Sequence, residues 1–150
     1  MKDAKLSAAQ IKRAYKALAD VPYAGLLGIE LEDLASGSAT LGIRVRKKLT
    51  QNHGLVHGGA IASLIDSATA FAIITLLAPV ENVTTVDLSI SYLRPVTKGR
   101  LTCKANVMRA GRRILVVSAD VFDDRQKLVA TALSTYIKLQ EPTKTRQDFR

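Results

Sequence analysis

The chain predicts an α+β fold: an antiparallel sheet wrapped around one long central helix, with a short helix ahead of it. Three observations carry this. The segment from Gly58 to Leu77 is apolar almost throughout, as a buried central helix is. Strand-like runs on either side of it alternate apolar and polar residues and are joined by short turns. No repeat or low-complexity linker divides the 150 residues, which suit one domain burying roughly two-thirds of its unfolded surface.

The elements follow in order. Ser7 with Gln10 forms a capping box, and Ile11, Ala14, Tyr15 and Leu18 recur at helical spacing, so a helix is expected over 7–19, stopped by Asp20-Val21-Pro22. Runs 28–34 and 38–46 make a hairpin across Ala35-Ser36-Gly37, with Ala39, Leu41, Ile43 and Val45 on one face. A loop over 47–56 leads to the central helix, 58–77, which stops near Pro79. In 83–94, alternation places Val86, Leu88, Ile90 and Tyr92 on the apolar face and Thr85, Asp87, Ser89 and Ser91 on the other. Runs 100–109 and 112–122 turn at Ala110-Gly111, and 127–139 follows the turn Asp123-Asp124-Arg125. The expected core is 22–139, with residues 1–20 as the N-terminal helix and a polar tail over 141–150.

Composition excludes several classes. Residues 1–20 lack the apolar core of a signal peptide, and the single cysteine, Cys103, has no partner for an internal disulfide, so a cytoplasmic setting is expected. Residues 60–80 are long enough to span a bilayer, but Asp66 at its centre would cost about 2.5–3.5 kcal/mol. No membrane segment is expected. The net charge is +9, and between Leu88 and Ala119 seven basic residues stand without one acid. Such a stretch favours phosphorylated ligands. Only Tyr92 among the aromatics lies within it, so a nucleic-acid stacking surface is not expected.

The chemistry is concentrated in His57-Gly58-Gly59-Ala60-Ile61-Ala62-Ser63-Leu64-Ile65-Asp66. The glycines open a helix whose first N–H groups lack intrahelical partners and, with the helix dipole, can polarise a carbonyl oxygen. Asp66 stands in an apolar segment with no clearly solvent-facing side, where a carboxylate suits general-base work. Gly58 and Asp66 are eight residues apart, about 12 Å along a helix, too far to act on one carbonyl. Two copies packed antiparallel would bring Gly58 of one against Asp66 of the other. His53 and His57 lack a third ligand and the Glu of a zinc-protease helix, so no metal is expected. Cys103 reads as core, and no nucleophile elbow, phosphate loop or dinucleotide fingerprint occurs.

With Val83-Thr84-Thr85-Val86-Asp87-Leu88, Tyr92-Leu93-Arg94-Pro95-Val96, Gly99, Gly111-Arg112 and Val129-Ala130, this ordered set over 22–139 resembles hotdog-fold acyl-CoA thioesterases of the PaaI-like, phenylacetic-acid-degradation type. The resemblance implies hydrolysis of an acyl-CoA thioester in sites shared across a homodimer, with dimers paired further, and no cofactor beyond the substrate's CoA. It makes the Gly58 N–H the oxyanion donor, Asp66 the general base or nucleophile, and Thr85 a residue positioning water. His57 shapes the turn, and Gln51 or Asn52 supplies a side-chain amide. Arg94, Arg112 and Arg113 are candidates for the CoA phosphates. Two other readings on the same fold are a non-catalytic acyl-CoA-binding protein and a hydroxyacyl-thioester dehydratase pairing His57 with Asp66.

Overall fold

The structure, a computed structural model, describes residues 4–140. Helix α1 spans Ala8–Ala19, and both hydrogen bonds of the Ser7–Gln10 capping box are present. A second helix, α2 (Pro22–Leu27), follows where only a terminator was expected. Pro22 ends α1, but its fixed φ and missing N–H also suit the first turn of a helix, and Gly28 closes α2 at φ 73°.

Strands β1 (Ile29–Ala35) and β2 (Ser38–Arg44) form the expected hairpin. The central helix α3 spans Gly58–Ile74, three residues shorter than expected. Thr75 ends it: its hydroxyl donates to the Ala72 carbonyl at 2.7 Å and accepts the Gly37 N–H at 2.8 Å. Strands β3 (Val83–Tyr92), β4 (Arg100–Ala110), β5 (Ile114–Phe122) and β6 (Leu128–Lys138) complete the set. β5 begins two residues later than expected, because Gly111-Arg112-Arg113 form the turn and the Gly111 N–H closes on the Ile114 carbonyl.

All six strands pair antiparallel in the order β1-β2-β4-β5-β6-β3. α3 lies across β2, β4 and β5, burying Ile61, Leu64, Ile65, Ala68, Phe71 and Ile73 against Leu41, Ile43, Leu101, Leu115 and Val117. This is the expected α+β hotdog arrangement. No helix among the described residues is long and apolar enough to cross a membrane.

Two expectations fail in ways that shape the site. α3 is not buried all round: Ala62, Ser63, Asp66, Ser67 and Ala70 form a partly exposed stripe at helical spacing. The apolar background hid it because the stripe is made of small residues rather than charged ones. In β3 the strict alternation breaks. Thr85 opposes Tyr136 and Asp87 opposes Thr135, so Val86 is the extra residue of a β-bulge. Val86, expected inside, is 55% exposed, and Thr85, expected outside, turns inward to α3.

Candidate active site

His57 adopts an extended backbone (φ −63°, ψ 133°) and caps α3, its Nδ1 accepting the Gly59 N–H at 2.8 Å. That bond removes Nδ1 from any metal. Among the described residues no group of three or more His, Cys, Asp or Glu could hold one. Gly58 is the first helical residue, and no hydrogen bond among the described residues uses its N–H. Its carbonyl accepts from the Tyr92 hydroxyl at 3.0 Å, fixing the helix start against the end of β3.

The loop before α3 is a tight hairpin. Thr50 and Val56 form a bridge, the Gln51 N–H donates to the Leu55 carbonyl at 2.8 Å, and Gly54 takes φ 79° at the tip. This sets Gln51 beside Gly58 in a cleft of about 340 Å³ shared with Ile61, Tyr92 and Arg94. The Gln51 Oε1 accepts from the His53 N–H. Asn52 is exposed and does not line the cleft.

Asp66 is half-buried and opens into a different cleft, also about 340 Å³, walled by Tyr23, Ala62, Ser63, Ser67, Thr85 and Leu88. Its Oδ1 accepts from the Thr85 hydroxyl at 2.8 Å and lies 3.2 Å from the Tyr136 hydroxyl. Tyr136 is 2% exposed and also touches the Asp66 carbonyl at 3.0 Å and Thr69 Oγ1 at 2.8 Å. Burial pushes its hydroxyl up to about 12, so it is a proton donor at neutral pH. Among the described residues Oδ2 of Asp66 has no hydrogen-bond partner, which leaves it available to a ligand in the cleft.

On the far wall, Tyr23 from α2 meets Ser63 Oγ at 2.8 Å, and Ser63 donates to the Gly59 carbonyl at 2.8 Å. No local pattern in the sequence marks Tyr136, Thr69 or Tyr23 for this site. Tyr136 lies seventy residues from Asp66 and carries no local motif. Tyr23 belongs to the unread helix, whose Pro22 start was the signal for it.

The basic candidates do not converge within one chain. Arg94 lines the Gly58 cleft, whereas Arg112 and Arg113 sit at the β4–β5 turn with Arg109. Tyr92 pairs with Ala130 and Ile114 with Ile137, so the two ends stand about 23 Å apart along β6. Cys103 is fully buried in the core, and burial pushes its thiol up to about 12.

The arrangement therefore offers an unpaired N–H at a helix start in one cleft and a held carboxylate in another, on one helix. It is a kit for carbonyl chemistry, divided in two.

Residues 53–130 match the model of the Thioesterase superfamily. The structure superimposes on the Escherichia coli PaaI protein from the phenylacetic acid degradation operon with TM-score 0.83 and 26% identity, over 91% of this chain and 97% of that one. It also matches a conserved Pseudomonas aeruginosa protein, PA5202, with TM-score 0.77 and 34% identity over 79% of this chain and 94% of that one. In sequence it is 34% identical to a Saccharolobus solfataricus protein named as an esterase, SSO1253, over 81% of this chain and 80% of the relative. It is 27% identical to the medium/long-chain acyl-CoA thioesterase YigI of Escherichia coli, over 78% of this chain and 85% of YigI.

The fold and the family match define a hydrolase acting on thioesters of small molecules. The chain belongs to the thioesterase superfamily and is a PaaI-like hotdog thioesterase.

Proposed function

We propose that the protein hydrolyses acyl-CoA thioesters in sites that each take Gly58 from one subunit and Asp66 from the other. One observation carries this reading. Gly58 and Asp66 start and centre the same rigid helix yet open into separate clefts, about 12 Å apart along the axis. The half-exposed stripe of small residues on α3 lets a second copy approach closely. β3 is an edge strand whose Thr85 end borders one cleft and whose Tyr92 end borders the other. Antiparallel addition of a second β3 about its centre, near Ser89, sets the Thr85 end of each strand against the Tyr92 end of its partner.

In the general-base route, Asp66 Oδ2 takes a proton from water while the water oxygen attacks the thioester carbon. The carbonyl oxygen gains charge and is held by the Gly58 N–H, with the Gln51 amide close by. Collapse breaks the C–S bond, and the proton on Asp66 passes to the departing CoA thiolate. In the nucleophilic route, Oδ2 attacks the carbon, the C–S bond breaks and CoA leaves as thiolate; water then attacks the Asp66 carboxyl carbon of the mixed anhydride, releasing the acid, and the water's proton passes to the thiolate. Label from ¹⁸O-water retained in the Asp66 carboxylate after one turnover marks this second route.

The same pairing brings Arg94 of one subunit to the side where Arg112 and Arg113 of the other stand, which makes them a joint site for the CoA phosphates. No cofactor enters the reaction. The lone, buried Cys103 suits a reducing cytoplasm, and dimers pair further into tetramers, read by solution mass.

The test is thiol release over a panel of short, medium, long and aromatic acyl-CoAs. Asp66→Asn keeps the acceptor for Thr85 and should remove activity while the dimer stays intact. Gly58→Pro should do the same. Mixing the two inactive variants should restore about a quarter of wild-type activity, since half the dimers are mixed and each has one intact site of two. No recovery in mixed dimers would overturn the shared site, and normal hydrolysis by Asp66→Asn would overturn the chemistry.

A further inference from the structure

Two hydroxyls face the same oxygen of Asp66, and they differ in kind. Thr85 comes from an edge strand at a bulge and reaches Oδ1 at 2.8 Å. Tyr136 comes from β6, inside the sheet and 2% exposed, with its hydroxyl 3.2 Å from the same oxygen. We propose that Tyr136 is a positioning residue for the reaction: its buried hydroxyl holds Oδ1 of Asp66 and leaves Oδ2 as the single oxygen presented to water or to the thioester. The proposal rests on the reading of Asp66 as base or nucleophile.

The hydrogen-bond inventory gives the physical reason. A tyrosine hydroxyl has one proton to give. Around Tyr136 the acceptors are Asp66 Oδ1, the Asp66 carbonyl at 3.0 Å and Thr69 Oγ1 at 2.8 Å. Thr69 has alternative acceptors for its own proton in the carbonyls of Ile65 and Asp66, both at 3.0 Å. When Asp66 is ionised, the Tyr136 proton is best placed on Oδ1, a charge-assisted bond away from water. When Asp66 has taken up a proton, the same hydroxyl can turn to the Asp66 carbonyl or to Thr69, so no buried donor is stranded. Tyr136 thus fixes the carboxylate's orientation without opposing proton uptake during turnover.

Few other groups act on Asp66. The titratable groups facing it are Tyr136 from β6 and Tyr23 from α2. α3 and β3 contribute the hydroxyls of Ser63, Ser67 and Thr85, and among the described residues of the chain no Lys, Arg or His lines the cleft. Asp87, two residues along β3, is exposed outside it. Within one chain, the groups that hold the carboxylate are neutral hydroxyl donors.

The experiment is the pH dependence of kcat and kcat/KM for the full-length enzyme on its best acyl-CoA. Tyr136→Phe removes the hydroxyl and keeps the ring. It should move the acid limb of kcat/KM up by roughly one pH unit and lower kcat at neutral pH about tenfold, with KM within about twofold. Site-specific replacement of Tyr136 by 3-fluorotyrosine, a stronger donor of the same shape, should move the limb to lower pH, and it decides the matter even if the Phe variant folds poorly. Limbs that superimpose on wild type in these variants overturn the role of Tyr136. Asp66→Asn separates the two levels. If it hydrolyses normally, the reading of Asp66 falls, and the role of Tyr136 with it. If it is inactive while the Tyr136 variants titrate like wild type, only the role of Tyr136 falls.

Discussion

Thr85 donates a 2.8 Å hydrogen bond to Oδ1 of Asp66 because one extra residue, Val86, is inserted next to it in β3. Without that bulge the period of two would turn Thr85 away from α3 and put Val86 in its place. A single-residue irregularity in an edge strand thus decides which side chain meets the carboxylate.

Thr85→Val keeps the shape and removes the donor, so hydrolysis should fall about tenfold with little change in thermal midpoint. Thr85→Ser restores the hydroxyl and should recover most of the rate. A Val variant as active as wild type would show that the bond is structural only. The readout is kcat on one acyl-CoA, with thermal melts alongside.

Gly58→Pro is a clean deletion of the proposed oxyanion donor. The position is the first of α3, where proline is favoured, and His57 already has the extended backbone that precedes proline. A Cβ there meets the Tyr92 ring at 3.4 Å, an ordinary contact. The variant should fold with near-native circular dichroism and lose roughly 10²–10³ in kcat. Retained activity would remove the Gly58 N–H from the mechanism.

Replacing Arg94, or Arg112 with Arg113, by Gln should raise KM for acyl-CoA several-fold at low salt, an effect that shrinks as ionic strength rises. Hydrolysis of the matching acyl N-acetylcysteamine thioester, which has no phosphates, should be unchanged. Equal losses on both substrates would assign these arginines to folding rather than to CoA.

Alkaline pH should destabilise the fold. Burial raises the Cys103 thiol from 9.0 to about 12, and burial first among several causes raises the Tyr136 hydroxyl from 10.0 to about 12. The unfolded chain therefore loses these protons before the folded one does. Their stabilising contribution is complete below about pH 9 and declines between about pH 9 and 12. Urea midpoints measured across that range should fall, less steeply in Cys103→Ala. In the folded state at pH 8, Cys103 should react with thiol reagents only as fast as the chain opens.

Much of the candidate site was legible along the chain because it is local. Gly58 and Asp66 are placed by helix rise alone, and their 12 Å separation follows from eight residues at 1.5 Å each. The Ser7–Gln10 cap, the Gly37 turn and the long apolar run likewise report on neighbours a few residues away. Spacing to His57 points to Gln51 for the amide and leaves its neighbour Asn52 as the alternative. The bridge between Thr50 and Val56 turns Gln51 toward Gly58 and leaves Asn52 at the surface.

The sequence by itself determined the α+β architecture, the central helix and the pair Gly58 and Asp66, since periodicity and capping are short-range physics. Only the tertiary structure decided which hydroxyls meet the carboxylate. The Val86 bulge turns Thr85 inward, and β6 delivers Tyr136 from seventy residues away. Strand register and sheet order are set by packing of the whole core, and no local pattern records them.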